Sequence, residues 1–222
     1  MSPPTRQKPE RFRGDRGTTA RGDQGSVLVE LALVLPFLTV LVLGVFEFGT
    51  AWRDRSILTT ALRAGDRFES QGPAQNVLST DYYALQTFYA TASQMQNVTL
   101  TKLIVYRSTA ANGAPPSTCV SISPTGAPPT AGWGVAGSCI VYNQSQINTA
   151  ASGTYTNFGC PASGATSPGW DSNWCVTSRN DSSPNPDYVG MYAVYSYTPV
   201  TRLISGTLTF TETAVYRIEP TQ

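Results

Sequence analysis

The sequence contains no histidine, and only 13% of its residues are charged. Without an imidazole there is no Ser-His-Asp or Cys-His arrangement and no common zinc hydrolase site. The net charge is +1, with no basic face of the kind that binds nucleic acid. No cysteine precedes Cys119, and the four present (Cys119, Cys139, Cys160 and Cys175) include no Cys-x-x-Cys pair. With histidine also missing, a zinc site is not expected. No glycine-rich phosphate loop follows a strand-like segment. These absences argue against an enzyme, a metal and a cofactor.

What is present begins at the amino end. Residues 1–25 carry Arg6, Lys8, Arg11, Arg13, Arg16 and Arg21 against Glu10, Asp15 and Asp23. They lack apolar periodicity, which predicts a disordered basic leader. Val27–Phe48 is then nearly all apolar. About 22 residues at about 1.5 Å each span about 33 Å, enough to cross a bilayer. A secretory signal core is shorter, and Phe46–Arg53 offers no Ala-x-Ala site, so a retained anchor is predicted. Basic residues close to the run number more before it than after it, where Arg53, Arg55, Arg63 and Arg67 stand. That bias predicts an inside amino terminus and an outside domain.

The cysteines agree with an outside domain, since an even count there fits two disulfides in an oxidising compartment. Three pairings are possible. The sequential Cys119–Cys139 and Cys160–Cys175 are favoured over the other pairings and over free thiols. Each would close a loop of about 15–20 residues and stabilise it by about 3 kcal/mol.

Within and beside the apolar run, a few residues break the pattern. Glu30 stands four residues past Ser26, at the start of the run, where a charge is costly. Pro36 removes its amide bond to Ala32 and should kink the helix. Gly44 and Gly49 allow close approach of another helix, although their spacing is not Gly-x-x-x-Gly. Glu47 lies near the outer interface, where packing against a partner and simple hydration are equal alternatives.

These residues carry a resemblance. Gly25–Gly49 resembles the amino-terminal segment of the TadE/TadG-like proteins, the minor pilins or pseudopilins of tight-adherence (Flp, type IVc) pili. It rests on Val29-Glu30-Leu31-Ala32-Leu33-Val34-Leu35-Pro36 and Gly44-Val45-Phe46-Glu47-Phe48-Gly49. Ala61-Leu62-Arg63-Ala64-Gly65-Asp66-Arg67, Tyr195-Ser196-Tyr197-Thr198-Pro199 and Ala214-Val215-Tyr216-Arg217-Ile218-Glu219 are similar to the family as well. Residues 70–187 show no family motif.

The resemblance implies a structural subunit of pilus assembly. Prepilin peptidase would cut between Gly25 and Ser26. Glu30, Pro36, Gly44, Glu47 and Gly49 would serve helix packing and assembly. The implied partners are the membrane, other pilin or pseudopilin subunits, the peptidase and the inner-membrane assembly platform, and not nucleic acid. The implied location is the cell membrane, single-pass, with the amino terminus cytoplasmic, and then the pilus. The alternative is an uncleaved single-pass surface adhesin that binds through segment 110–187.

The predicted organisation is a leader (1–25), a transmembrane helix (26–49), a helix extension (50–72) and an extracytoplasmic α+β domain (73–222) with a loop-rich, disulfide-stapled insert (110–187). The helix is predicted to stop at Gly72-Pro73, and a second to run over Asp81–Gln96. Strands are predicted at Val98–Tyr106, Cys119–Ile122, Cys139–Tyr142, Tyr188–Tyr197 and Gly206–Ile218, with the last two antiparallel. Residues 143–187 read as loop. Asn180–Asp187 is rich in oxygen ligands but does not match an EF-hand, and reads as a polar turn. Arg21-Gly22-Asp23 is read as a chance match.

Overall fold

The structure is a computed structural model, and it describes residues 21–72, 79–160, 169–201 and 206–220. The chain divides into two compact units at Leu43/Gly44. Helix α1 covers Arg21–Gln71 and includes Pro36. Its described start lies before the Ser26 expected, because Arg21–Gly25 already have helical backbone. The expectation for residues 1–20 lies outside the described residues. From Val27 to Phe46 every side chain of α1 is exposed. An 18-residue window there reaches a mean hydropathy of 2.6 with none of it buried, long and apolar enough to cross a membrane.

The second unit has the α+β architecture expected from the sequence. Helix α2 (Thr80–Ala92) and strand β1 (Val98–Ser108) follow α1. Then come a short α3 (Ser117–Val120), β2 (Trp133–Val135), β3 (Cys139–Tyr142), α4 (Gln144–Ala151), β4 (Tyr188–Tyr197) and β5 (Leu208–Arg217). The five strands form one antiparallel sheet in the order β2-β3-β1-β4-β5. Alternation sorts its side chains onto two faces. Leu103, Val105, Ile140, Tyr142, Met191 and Tyr195 pack with Leu58 and Leu62 of α1, Leu85 and Phe88 of α2, and Ile147 of α4. Gly65 brings α1 close to β4, since a Cβ there would stand 2.8 Å from the Met191 sulfur. The other face buries Ile104, Tyr106, Val141 and the Cys119–Cys139 pair.

Three expectations are corrected. Cys119–Ile122 is not a strand. Ser117–Val120 turns as a helix behind Pro116, whose missing amide hydrogen suits a helix start, and Cys119 is fully buried beneath the sheet. The predicted loop 143–187 contains α4. Asn143 accepts from the Gln146 amide and the Gln146 side chain accepts from the Asn143 amide, a reciprocal cap that nucleates the turn. Helix α2 ends at Ala92 rather than Gln96, ahead of Asn97 in a left-handed conformation (φ 57°) that turns the chain into β1.

Candidate functional site

The site residues expected from the sequence fall into separate places. Gly25, Ser26, Glu30 and Pro36 lie on the exposed stretch of α1 in the first unit. Gly25, Gly44 and Gly49 each face open space where a side chain would begin. Gly44, Glu47 and Gly49 belong to the second unit.

The Glu47 side chain turns into the fold. It is only 5% exposed, despite sitting between exposed Phe46 and Phe48. Its Oε1 accepts from the Tyr197 hydroxyl at 2.6 Å and from the Val200 amide at 2.9 Å, and its Oε2 accepts from the Thr201 amide at 2.8 Å. The Tyr197 hydroxyl is also 2.8 Å from Thr50 Oγ1. The carboxylate therefore ties α1 to the chain leaving β4, with its charge spread over donors from Tyr197, Val200 and Thr201. Glu47 thereby belongs to the second unit, which begins at Gly44.

Two turns beyond Glu47, Arg55 pairs with Glu212 of β5. Between this stretch of α1 and the β4–β5 hairpin lies a groove of about 510 Å³. Gly44, Phe48, Ala51 and Trp52 line one side; Leu208 and Phe210 line the other. Phe48 and Trp52 stack with ring centroids 6.2 Å apart.

A second cluster lies in the core. Arg179 is fully enclosed, donating to Glu69 of α1 at 2.5 Å and to Asp81 of α2 at 2.6 Å. Its guanidinium sits 4.5 Å from the Trp174 ring centroid. Asp66 and Asp171 are also fully buried, and Asp171 accepts from the Gly159 amide at 2.8 Å. One cation stands among four acids, and burial disfavours the charged form of Asp66, Asp171 and Glu69. Burial pushes Asp66 up to about 9, against the pull of the Arg179 charge. It pushes Asp171 up to about 7, helped by the negative charge of Asp81. Glu69 is raised well above its ordinary value by burial and by Asp81. The cluster pins residues 169–179 to both helices.

Two disulfides hold the insert. Cys119 joins Cys139 and Cys160 joins Cys175, with Cα atoms 6.3 Å and 5.5 Å apart. Among the described residues, no group of three or more His, Cys, Asp or Glu side chains is placed to hold a metal ion.

Sequence reasoning flagged Glu47 but missed its partners and the Arg179 cluster. One signal was on hand: the tyrosine-rich segment Tyr195–Pro199 contains Tyr197, the residue that caps Glu47.

Searches of curated proteins and of solved structures return no match. Residues 25–67, from the glycine that opens the apolar run to the helix turn beside the buried acids, match the family model of TadE-like protein.

Proposed function

We propose that this protein is a pilin-like structural subunit, anchored by α1, that takes part in assembling a tight-adherence pilus and has no catalytic activity of its own. The observation that carries the reading is one stretch of chain. The small-residue step Gly25-Ser26, Glu30 at its fixed spacing and the exposed apolar helix all lie within residues 25–67, the segment similar to TadE-like protein.

In this reading the leader stays inside the cell, as its basic residues favour. Prepilin peptidase cuts after Gly25, and the new ammonium on Ser26 lies one helical turn from Glu30. At the inner headgroups, water weakens that attraction. When subunits pack helix to helix the water leaves, and each charge then requires a partner. The outer domain is presented by the assembled helix and contacts other subunits and the assembly platform.

Fractionation tests this. The protein should co-purify with pili sheared from cells, as well as with membranes. Glu30→Ala should be processed normally yet enter pili poorly, because a buried unpaired ammonium costs about 3–5 kcal/mol. Recovery in bulk membrane only, with no effect of Glu30→Ala on distribution, would favour the anchored adhesin instead.

A further inference from the structure

The groove between α1 and the β4–β5 hairpin is apolar and uncovered. Phe48 is 70% exposed, Trp52 59% and Leu208 37%. A contiguous apolar surface of this kind on a folded unit marks a binding site.

The length of the helix says what reaches it. The exposed apolar run between Glu30 and the groove, Leu31–Leu43, offers about 13 residues, or about 20 Å of helix. A hydrocarbon core is about 30 Å thick and takes about 20 residues. The residues that complete the span are therefore Gly44–Phe48, which line the groove. A bare carboxylate at that depth would be prohibitive. Glu47 is not bare: its oxygens are occupied by Tyr197, Val200 and Thr201, and it is withdrawn from the surface. Trp52 and Arg53 follow within the next two turns. They have the chemistry of the headgroup level, where aromatic rings and cations sit.

We propose that this groove takes an acyl chain of an outer-leaflet phospholipid. The chain lies between Phe48 and Trp52 on one wall and Leu208 and Phe210 on the other. The hairpin is thereby seated on the bilayer, and the capped Glu47 is what permits that seating. The proposal rests on the reading of the apolar run as a membrane span.

The test uses the full chain in vesicles of phosphatidylethanolamine and phosphatidylglycerol, doped with a phosphatidylethanolamine that carries a mid-chain diazirine. After photolysis, peptide mapping should find label on Leu208 and Phe210 as well as on the span residues Leu31–Leu41. Gly44→Phe adds a ring at a residue that lines the groove, without a clash, since a Cβ there meets nothing within 4 Å. It should cut labelling of Leu208 and Phe210 severalfold and leave the span labelled. Ala51→Leu, one helix turn pair further on, should act in the same direction and guards against a folding defect in the first variant.

Label on the span but none on Leu208 or Phe210 overturns the groove proposal and leaves the span reading standing. So does groove label that neither variant reduces. Unlabelled groove residues accompanied by a dimer in the same vesicles would give the groove to a second copy, and also overturn it. Loss of label from the span itself would instead overturn the membrane reading.

Discussion

Replacing Asp66 by asparagine should change how stability depends on pH. Asp66 is fully buried, and neither carboxylate oxygen has a hydrogen-bond partner among the described residues. Burial raises its pKa from an ordinary 3.8 to about 9. Between those values the native chain keeps a proton that the unfolded chain has released. Stability must then fall as pH rises through that window, by about 1.4 kcal/mol per pH unit for this one group. From about pH 5 to about pH 7 the loss approaches 3 kcal/mol, a large share of the 5–15 kcal/mol typical of a domain. Asp171 and Glu69 are raised by burial too and tilt the curve the same way. Asp66→Asn removes only its own share. Its stability should decline less steeply, by about 1.4 kcal/mol per unit, and the variant should gain on wild type toward the alkaline side. Urea unfolding of the full chain in detergent, followed by the fluorescence of buried Trp170 and Trp174 at several pH values from about 5 to 8, measures this slope. Parallel profiles for the two proteins, or a wild type that strengthens with rising pH, would refute the reasoning.

Other substitutions test the remaining ties. Arg179→Met leaves Glu69 and Asp81 without their shared cation in a dry interior and should cost about 3–5 kcal/mol, read as a lower urea midpoint; an unchanged midpoint would mean the acids are neutral without it. Glu47→Ala leaves the Val200 and Thr201 amides without their acceptor, and should cost about 2–4 kcal/mol while speeding hydrogen exchange at those two positions. Glu47→Gln should be milder, and unaltered exchange in the alanine variant would reject the tie. Serine at both Cys119 and Cys139 should lose about 3 kcal/mol, with Cys160–Cys175 still intact on non-reducing peptide mapping; a Cys139–Cys160 peptide in the native protein would contradict the observed pairing.

The parts of this fold that could be read from sequence are those with a local period. Leu208–Arg217 alternates and is β5; Val98–Tyr106 is rich in β-branched residues and falls within β1. The apolar run declared α1 because it is long and nearly unbroken by polar residues. Helix α4 was also signalled, by Asn143 and Gln146 at capping-box spacing, but the surrounding glycine, serine and asparagine masked it. Cys119–Ile122 misled because β-branched residues favour a strand only where a partner strand is available, and here Pro116 and the buried disulfide set the backbone instead. The candidate site was half legible. Glu47 was conspicuous as an acid in an apolar run, yet its donors lie some 150 positions away in sequence. Arg179 reaches Glu69 and Asp81 across 110 and 98 positions. Pairings at that range are made by the folded sheet and leave no local pattern to read.

The central claim is that Gly25-Ser26 opens a pilin-like helix that is cut and then assembled. The most direct measurement is the mass of the amino-terminal peptide of the mature protein, isolated from the membranes and pili of its native host. The account predicts a chain that begins at Ser26, and a Gly25→Leu variant that stays uncut. A mature protein that retains Arg6–Arg21 would contradict it.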